Sequence, residues 1–283
     1  MRKLRSLVQF LYDIRDRQRI QIAVSKGIAG MQCRKVDETA PRTWEFSGFS
    51  QNGEDGILQV LRSKLLKSNR HFGEIGAADG IQNNTAWLCA VERYDGLMID
   101  GSPKLAERAR RVTKELNIGL RFEEMFVTRD SASKIKSLMP SADPDVFSLD
   151  IDGVDYYIAK SLFDVGVRPK IFVVEYNSVF GPIRPVTVPY EDSFAMRRHP
   201  TELYYGVGLA AWRKLFESQG YRFVTVDVHG VNAFFVDPAT IDAAFLANVK
   251  GLEFAENVYQ RDKFGMNWEG QFALINGVKL VEV

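Results

Sequence analysis

From about residue 50 onward, stretches with helical periodicity alternate with short strand-like runs, and this alternation restricts the fold more than any other feature of the chain. Residues 54–66, 83–93, 103–117, 131–139, 155–165 and 207–219 read as helices, and Pro103 sits in the first turn of the third. Residues 71–75, 96–100, 119–127, 145–151 and 171–176 read as strands. The run IFVV within the last of these is apolar at every position, as expected when helices cover both faces of a sheet. Alternation of this kind implies parallel strands joined by crossovers. YRFVTVDV and VNAFFV flank a His229-Gly230 turn and predict a closing antiparallel hairpin. The expected class is therefore α/β, a Rossmann-like doubly wound, mostly parallel sheet. Such sheets bind ligands beyond the carboxyl ends of their strands, near the switch in strand order.

A chain of 283 residues with 46% hydrophobic and 26% charged residues can bury a full core. The formal charge of +1 gives no electrostatic case for nucleic acid. Cys33 and Cys89 lie too far apart for a cysteine metal site and read as free thiols of a reducing compartment. No apolar run approaches the ~20 residues that span a bilayer. The first residues lack a signal peptide's apolar stretch, so a cytoplasmic protein is expected.

The charge is unevenly spread. Residues 1–35 hold nine basic and two acidic side chains, a local +7, which leaves −6 for the remainder. Leu4, Leu7, Val8, Leu11 and Ile14 fall on one helical face. That face is expected to pack on the main domain, or else to meet an oligomer partner or the surface of a membrane. The chain divides into a basic helical extension (1–47), the α/β domain (48–250) and a tail (251–283) that reads as a lid or an interface.

The first strand runs into Glu74-Ile-Gly76-Ala77-Ala-Asp79-Gly80, where a glycine lets the backbone turn sharply and approach a ligand. The second ends at Asp100-Gly101-Ser102, placing a carboxylate where it can hold both ribose hydroxyls. Dinucleotide sites favour G-x-G-x-x-G. Here position 78 is alanine, and Asp79 would repel a pyrophosphate but suit an ammonium and a sulfonium. The pattern E-x-G-x-x-x-G favours S-adenosylmethionine. At the fourth strand end Asp150, Asp152 and Asp155 gather, and the fifth supplies Glu175 and Asn177. Converging carboxylates raise one another's pKa unless a cation neutralises them. The reading is a divalent cation such as Mg2+ on Asp150, Glu175 and Asn177, or acids that face the methyl donor while one serves as general base. Asp152 and Asp155 also suit helix capping.

These residues resemble the FkbM-type branch of class I S-adenosylmethionine-dependent methyltransferases. The resemblance rests on S-Q-N-G-E-D-G (Ser50–Gly56), E-I-G-A-A-D-G, I-D-G-S and D-I-D-G-V-D, and covers roughly residues 48–238. Asp152 and Asp155 stand where the family usually has glutamates, each one methylene shorter. The resemblance implies a seven-stranded sheet with its last strand antiparallel, and a cofactor held by Gln51, Asp55, Glu74, Gly76, Ala77, Asp79, Asn84, Thr85, Asp100, Gly101, Ser102, Phe126, Val127 and Asp150. It also implies methylation of hydroxyls on sugars. E-Y-N (Glu175–Asn177) is similar to metal-assisted sugar O-methyltransferases.

About thirty aperiodic residues follow Glu175, a length that usually signals function. Their aromatic rings suit a sugar, and Arg184, Arg197, Arg198 and His199, with Tyr204, suit an anionic or nucleotide-linked sugar acceptor. The expected reaction is methyl transfer to a carbohydrate hydroxyl, with Asp152 as base and His229 or Asp155 in reserve. The other classes are an NAD-dependent sugar oxidoreductase and a non-catalytic methyltransferase-like scaffold.

Overall fold

The computed structural model describes residues 2–283; side chains are described except at 2–9 and 114–116. Its strands are β1 (His71–Ile75), β2 (Asp95–Asp100), β3 (Leu120–Glu124), β4 (Val146–Leu149), β5 (Ile171–Glu175), β6 (Val186–Thr187), β7 (Arg222–Val226), β8 (Asn232–Val236) and β9 (Val281–Glu282). Seven of them form one sheet in the order β3-β2-β1-β4-β5-β8-β7, and β6 pairs with β9 apart from it. Only β8 runs against its neighbours in the seven-stranded sheet. This order, with one reversed strand near the edge, is the class I methyltransferase fold. The strand order switches between β1 and β4, so a crevice opens beyond Ile75 and Leu149.

The apolar runs divide between two cores. Along β5, Phe172 and Val174 join Phe147, Trp212 and Phe216 on one side of the sheet. Ile171 and Val173 join Trp44, Leu58 and Phe72 on the other. Helices α2 (Glu54–Ser63), α3 (Ala86–Ala90), α4 (Pro103–Leu116), α5 (Ala132–Leu138), α6 (Asp155–Asp164) and α7 (Leu209–Ser218) cover these faces. The helix expected over 83–93 is only the five residues of α3. Just before it, the Asn84 and Thr85 N–H groups donate to Glu74.

The N-terminal helix α1 (Arg2–Cys33) corrects one expectation. Leu11 and Ile14 do not pack on the domain but are exposed, and the side chains of Leu4, Leu7 and Val8 lie outside the described residues. The packed face is instead Asp16, Ala23, Gly27 and Gly30. A Cβ at Gly27 would lie 2.1 Å from the Trp87 ring, so glycine is what lets the helix settle there. Asp16 bonds the Arg108 guanidinium through Nε at 2.9 Å and also through Nη2. Cys33 at the end of α1 is exposed, whereas Cys89 is buried, and both thiols are free.

The tail is built into the fold. After α8 (Ala243–Asn248) come α9 (Val258–Phe264) and α10 (Trp268–Leu274), with Gln271 and Ile275 buried. β9 then pairs antiparallel with β6. Among the described residues, no helix is long and apolar enough to cross a membrane.

Candidate active site

At the end of β1 the chain turns through Gly76, whose φ of +87° lies in the left-handed region. A Cβ there would sit 1.5 Å from the Asp150 carbonyl oxygen. Two strands thus meet at a point that only glycine permits. Glu74, one residue pair earlier, is buried and accepts the backbone N–H groups of Asn84 (3.0 Å) and Thr85 (3.1 Å), and the Thr85 hydroxyl. Burial pushes its carboxyl up to about 7 against those bonds. Asp100, at the end of β2, accepts the N–H of Ala78 at 2.8 Å and of Ser102 at 2.7 Å. Burial raises its pKa as well. These bonds fix the carboxylate at the rim of the crevice.

A cavity of about 600 Å³ runs from here along the sheet edge. Gly76, Ala78, Asp100, Gly101, Ser102, Phe126, Val127, Asp150 and Asp152 line it, and Asp192, Phe194 and Arg197 lie along its far wall. A smaller cavity of about 260 Å³ adjoins it across Gln51, Gly76, Gln82 and Asp150. That second space is mostly polar. Asn52, Glu54, Glu74, Asn83, Asn84, Glu175, Asn232, Asn257 and Tyr259 complete its lining with Val231. The Oδ1 atom of Asn232 is buried there with no partner, and its amide nitrogen donates to Glu54 at 2.8 Å.

Where the cavities meet, Asp150, Asp152 and Glu175 each bring a carboxylate oxygen within 4.8 Å of the others. Asp150 and Glu175 are half-buried side by side. Burial, then the neighbouring negative charges, raises both pKa values well above the ordinary carboxylate range. Asp152 stands on the exposed side with φ +52°. Burial among protein atoms raises its pKa too, against the charge of Arg197. The Tyr205 hydroxyl reaches toward Glu175 at 3.4 Å and receives the Gln260 amide at 3.1 Å.

Several sequence expectations are corrected here. Asn177 does not face the acids. Its amide nitrogen donates to the carbonyls of Leu203 and Tyr205, both at 2.9 Å, and its oxygen accepts Val179 N–H. Asp152 stands beside Asp150 and Glu175 instead. Asp155 lines neither cavity: its oxygens accept the N–H groups of Ile151 and Gly153, both at 2.9 Å, and so brace the loop that carries Asp152. Asp55 lines neither cavity. One of its oxygens accepts three N–H groups, from Gly48, Phe49 and Ser50, which shapes the loop presenting Gln51. Asp79 is turned away from the ligand space and is held by Arg19 at 2.7 Å and Arg108 at 3.1 Å. Ala77 and Thr85 are buried behind the crevice, although Ala78 and Asn84 reach it.

On the acceptor side only Arg197 of the cationic group lines the larger cavity. Arg184 lies over the rings of Trp268 and Phe272, and Arg198 is exposed. His199 packs on Phe194 and Tyr204, whose hydroxyl donates to the Lys279 carbonyl at 2.5 Å. His229 lines neither cavity and stacks near Tyr259. The sequence reading missed Glu54, Asn232 and Tyr259. Asn232 is directly opposite Glu175 in the β5–β8 pairing, a register that the hairpin alone does not reveal.

No protein-family model matches the chain, and no curated protein matches it in sequence. Solved structures are similar to it over part of their chain path. An O-methyltransferase from Bacillus cereus in complex with SAH is 16% identical, with 77% of this chain and 89% of that chain covered at a TM-score of 0.44. The SAH-bound Podospora anserina methyltransferase PaMTH1 is 18% identical over 59% of this chain and 71% of that one, with a TM-score of 0.41. The CurJ carbon methyltransferase is 12% identical at a TM-score of 0.41, and the match covers 64% of this chain and about half, 52%, of that one. Likeness at this level concerns chain path alone and says nothing of acceptor or metal.

Proposed function

We propose that the protein is an S-adenosylmethionine-dependent O-methyltransferase whose acceptor is a polyhydroxylated molecule, a sugar of a glycan or glycoconjugate. The observation that carries this reading is the junction of two unlike spaces at Gly76 and Asp150. One has a ribose-type carboxylate, Asp100, and the open face of Phe126 for a base. The other is lined by amides and acids, Asn52, Asn83, Asn84 and Glu175 among them, a set able to hold several hydroxyls at once.

In this reading the acceptor oxygen attacks the methyl carbon in line with the departing sulfur. The O–C bond forms, the S–C bond breaks, and its electron pair leaves a neutral thioether. Asp152 takes the hydroxyl proton, being the carboxylate on the open side. Holding both partners in line supplies much of the acceleration. Asp150 and Glu175 supply oxygen donors that fit a hard divalent cation, with Asp152 beside them left as the base. Such an ion, when bound, would lower the acceptor hydroxyl's pKa.

Calorimetric titration with S-adenosylhomocysteine and, separately, NAD tests the cofactor. Heat with the first and none with the second is expected; the reverse overturns the reading. Product mass spectrometry with a glycan panel then tests the acceptor, and repeating turnover with EDTA and restored Mg2+ tests the ion. Turnover indifferent to both would remove the cation from the site.

A further inference from the structure

Helix α1 borders a groove that adjoins the polar cavity. From Phe10 to Ile28 its outward side presents Phe10 (59% exposed), Leu11 (57%), Ile14, Ile22 (66%) and Ile28, separated by Gln18, Gln21 and Ser25. No acidic residue falls on this strip. Arg15 and Lys26 follow one margin of it and Arg17 the other, by their positions around the helix. The opposite side of the same helix is the one seated on Trp87 and Phe46. An apolar strip bordered by cations is the pattern of a helix that lies in a membrane interface.

A groove of about 340 Å³ links this helix to the reaction site. Arg19, Ile22, Ala23 and Lys26 form its α1 side, and Phe49 and Ile81 lie across from them. It shares Gln51, Gln82 and Tyr259 with the polar cavity. Its charged lining is Lys26 and Arg19, the latter paired with Asp79, whereas the charged lining of the polar cavity is Glu54, Glu74, Asp150 and Glu175. A ligand spanning both would place neutral hydroxyls inside and an anionic portion at the mouth.

We propose that α1 docks on an anionic lipid surface, so that the groove mouth faces the bilayer and the acceptor hydroxyl belongs to the headgroup of a membrane amphiphile. Charge decides between lipid and a second copy of the chain. Residues 1–35 carry +7, so a symmetric pairing of two α1 strips would bring like charges together, while anionic headgroups neutralise them. The acceptor part of this inference rests on the methyltransferase reading above; the docking itself does not.

The test is co-sedimentation of the full chain with vesicles of phosphatidylcholine alone and of equimolar phosphatidylcholine and phosphatidylglycerol. Binding at least roughly tenfold tighter to the anionic vesicles is expected, weakening as salt is raised. The triple variant Leu11→Glu, Ile14→Glu, Ile28→Glu should lose vesicle binding while keeping its melting temperature and its heat with S-adenosylhomocysteine. Leu11→Ser alone should weaken binding in part. Failure to bind anionic vesicles overturns the proposal, as does a tight dimer in analytical ultracentrifugation that the triple variant abolishes. Loss of the S-adenosylhomocysteine heat in the unmodified chain would instead strike the cofactor reading and leave the docking result to stand on its own.

Discussion

Arg19 on α1 and Asp79 in the loop after β1 form an ion pair of 2.7 Å, joining segments 60 residues apart. Burial opposes ionisation of Asp79, but the Arg19 hydrogen bond and charge, with Arg108, hold its pKa below the ordinary value. The acid in the glycine turn therefore serves to anchor α1. Removing Arg19 and Asp79 singly and together, with urea denaturation as the readout, should give a coupling of about 1 kcal/mol for this partly exposed pair. A coupling of zero would mean that Arg108 alone satisfies Asp79.

Gly76→Ala adds a methyl where a backbone oxygen already stands and forces a left-handed alanine. The loop after β1 or the end of β4 must move. S-adenosylhomocysteine affinity should fall by on the order of tenfold or more, with a loss of stability of about 1–3 kcal/mol. Calorimetry and thermal melts check both, and an unaltered affinity would show that the close approach has no bearing on the ligand.

Asp152 and Asp155 separate by role. Asp152→Asn should lower kcat by roughly 10²–10⁴-fold with little change in melting temperature. Asp155→Ala strips two backbone N–H groups of their acceptor, and should lower the melting temperature first. If both variants lost only stability, Asp152 would be a loop residue and not a base.

Asp55 sets a pH dependence of known sign. Burial lifts its folded-state pKa to about 7 from an ordinary 3.8, against the three N–H bonds that it accepts. The folded protein then holds this proton more tightly than the unfolded chain. Its contribution to stability is present in full below the unfolded value and is lost as pH rises through about 7. Urea midpoints measured from pH 4 to 8 should fall less steeply in Asp55→Asn than in the unmodified chain, and identical slopes would contradict the assignment. Glu45 and Glu74, also raised to about 7 by burial, add to the slope in both proteins, and because the charge of Asp55 helps to raise Glu74, the difference reports Asp55 together with its coupling to Glu74.

Strand positions were legible because apolar runs and glycine turns are local signals. HFGEI occupies β1 as read, and the His229-Gly230 turn does join β7 to β8. Side-chain direction was not local. Nothing in D-x-D-G-x-D distinguishes Asp152, in the open cavity, from Asp155, which is bonded to its own loop. Asn177 follows Glu175 by two, a spacing that places both on one side of an extended strand. The chain leaves β5 at Glu175, however, and Asn177 instead caps the short helix Ser178–Phe180. The exposed apolar face of α1 was hidden for a related reason: its seat on the domain is built from glycines and an aspartate, which hydrophobic periodicity does not register.

The contrast between the two thiols offers a handle. Burial pushes Cys89 up to about 12, which leaves it inert, while Cys33 stands in water at the end of α1. A maleimide fluorophore would therefore couple at one place in the native chain, on the very helix whose contact with lipid is in question, and its emission could report the approach without any engineered residue.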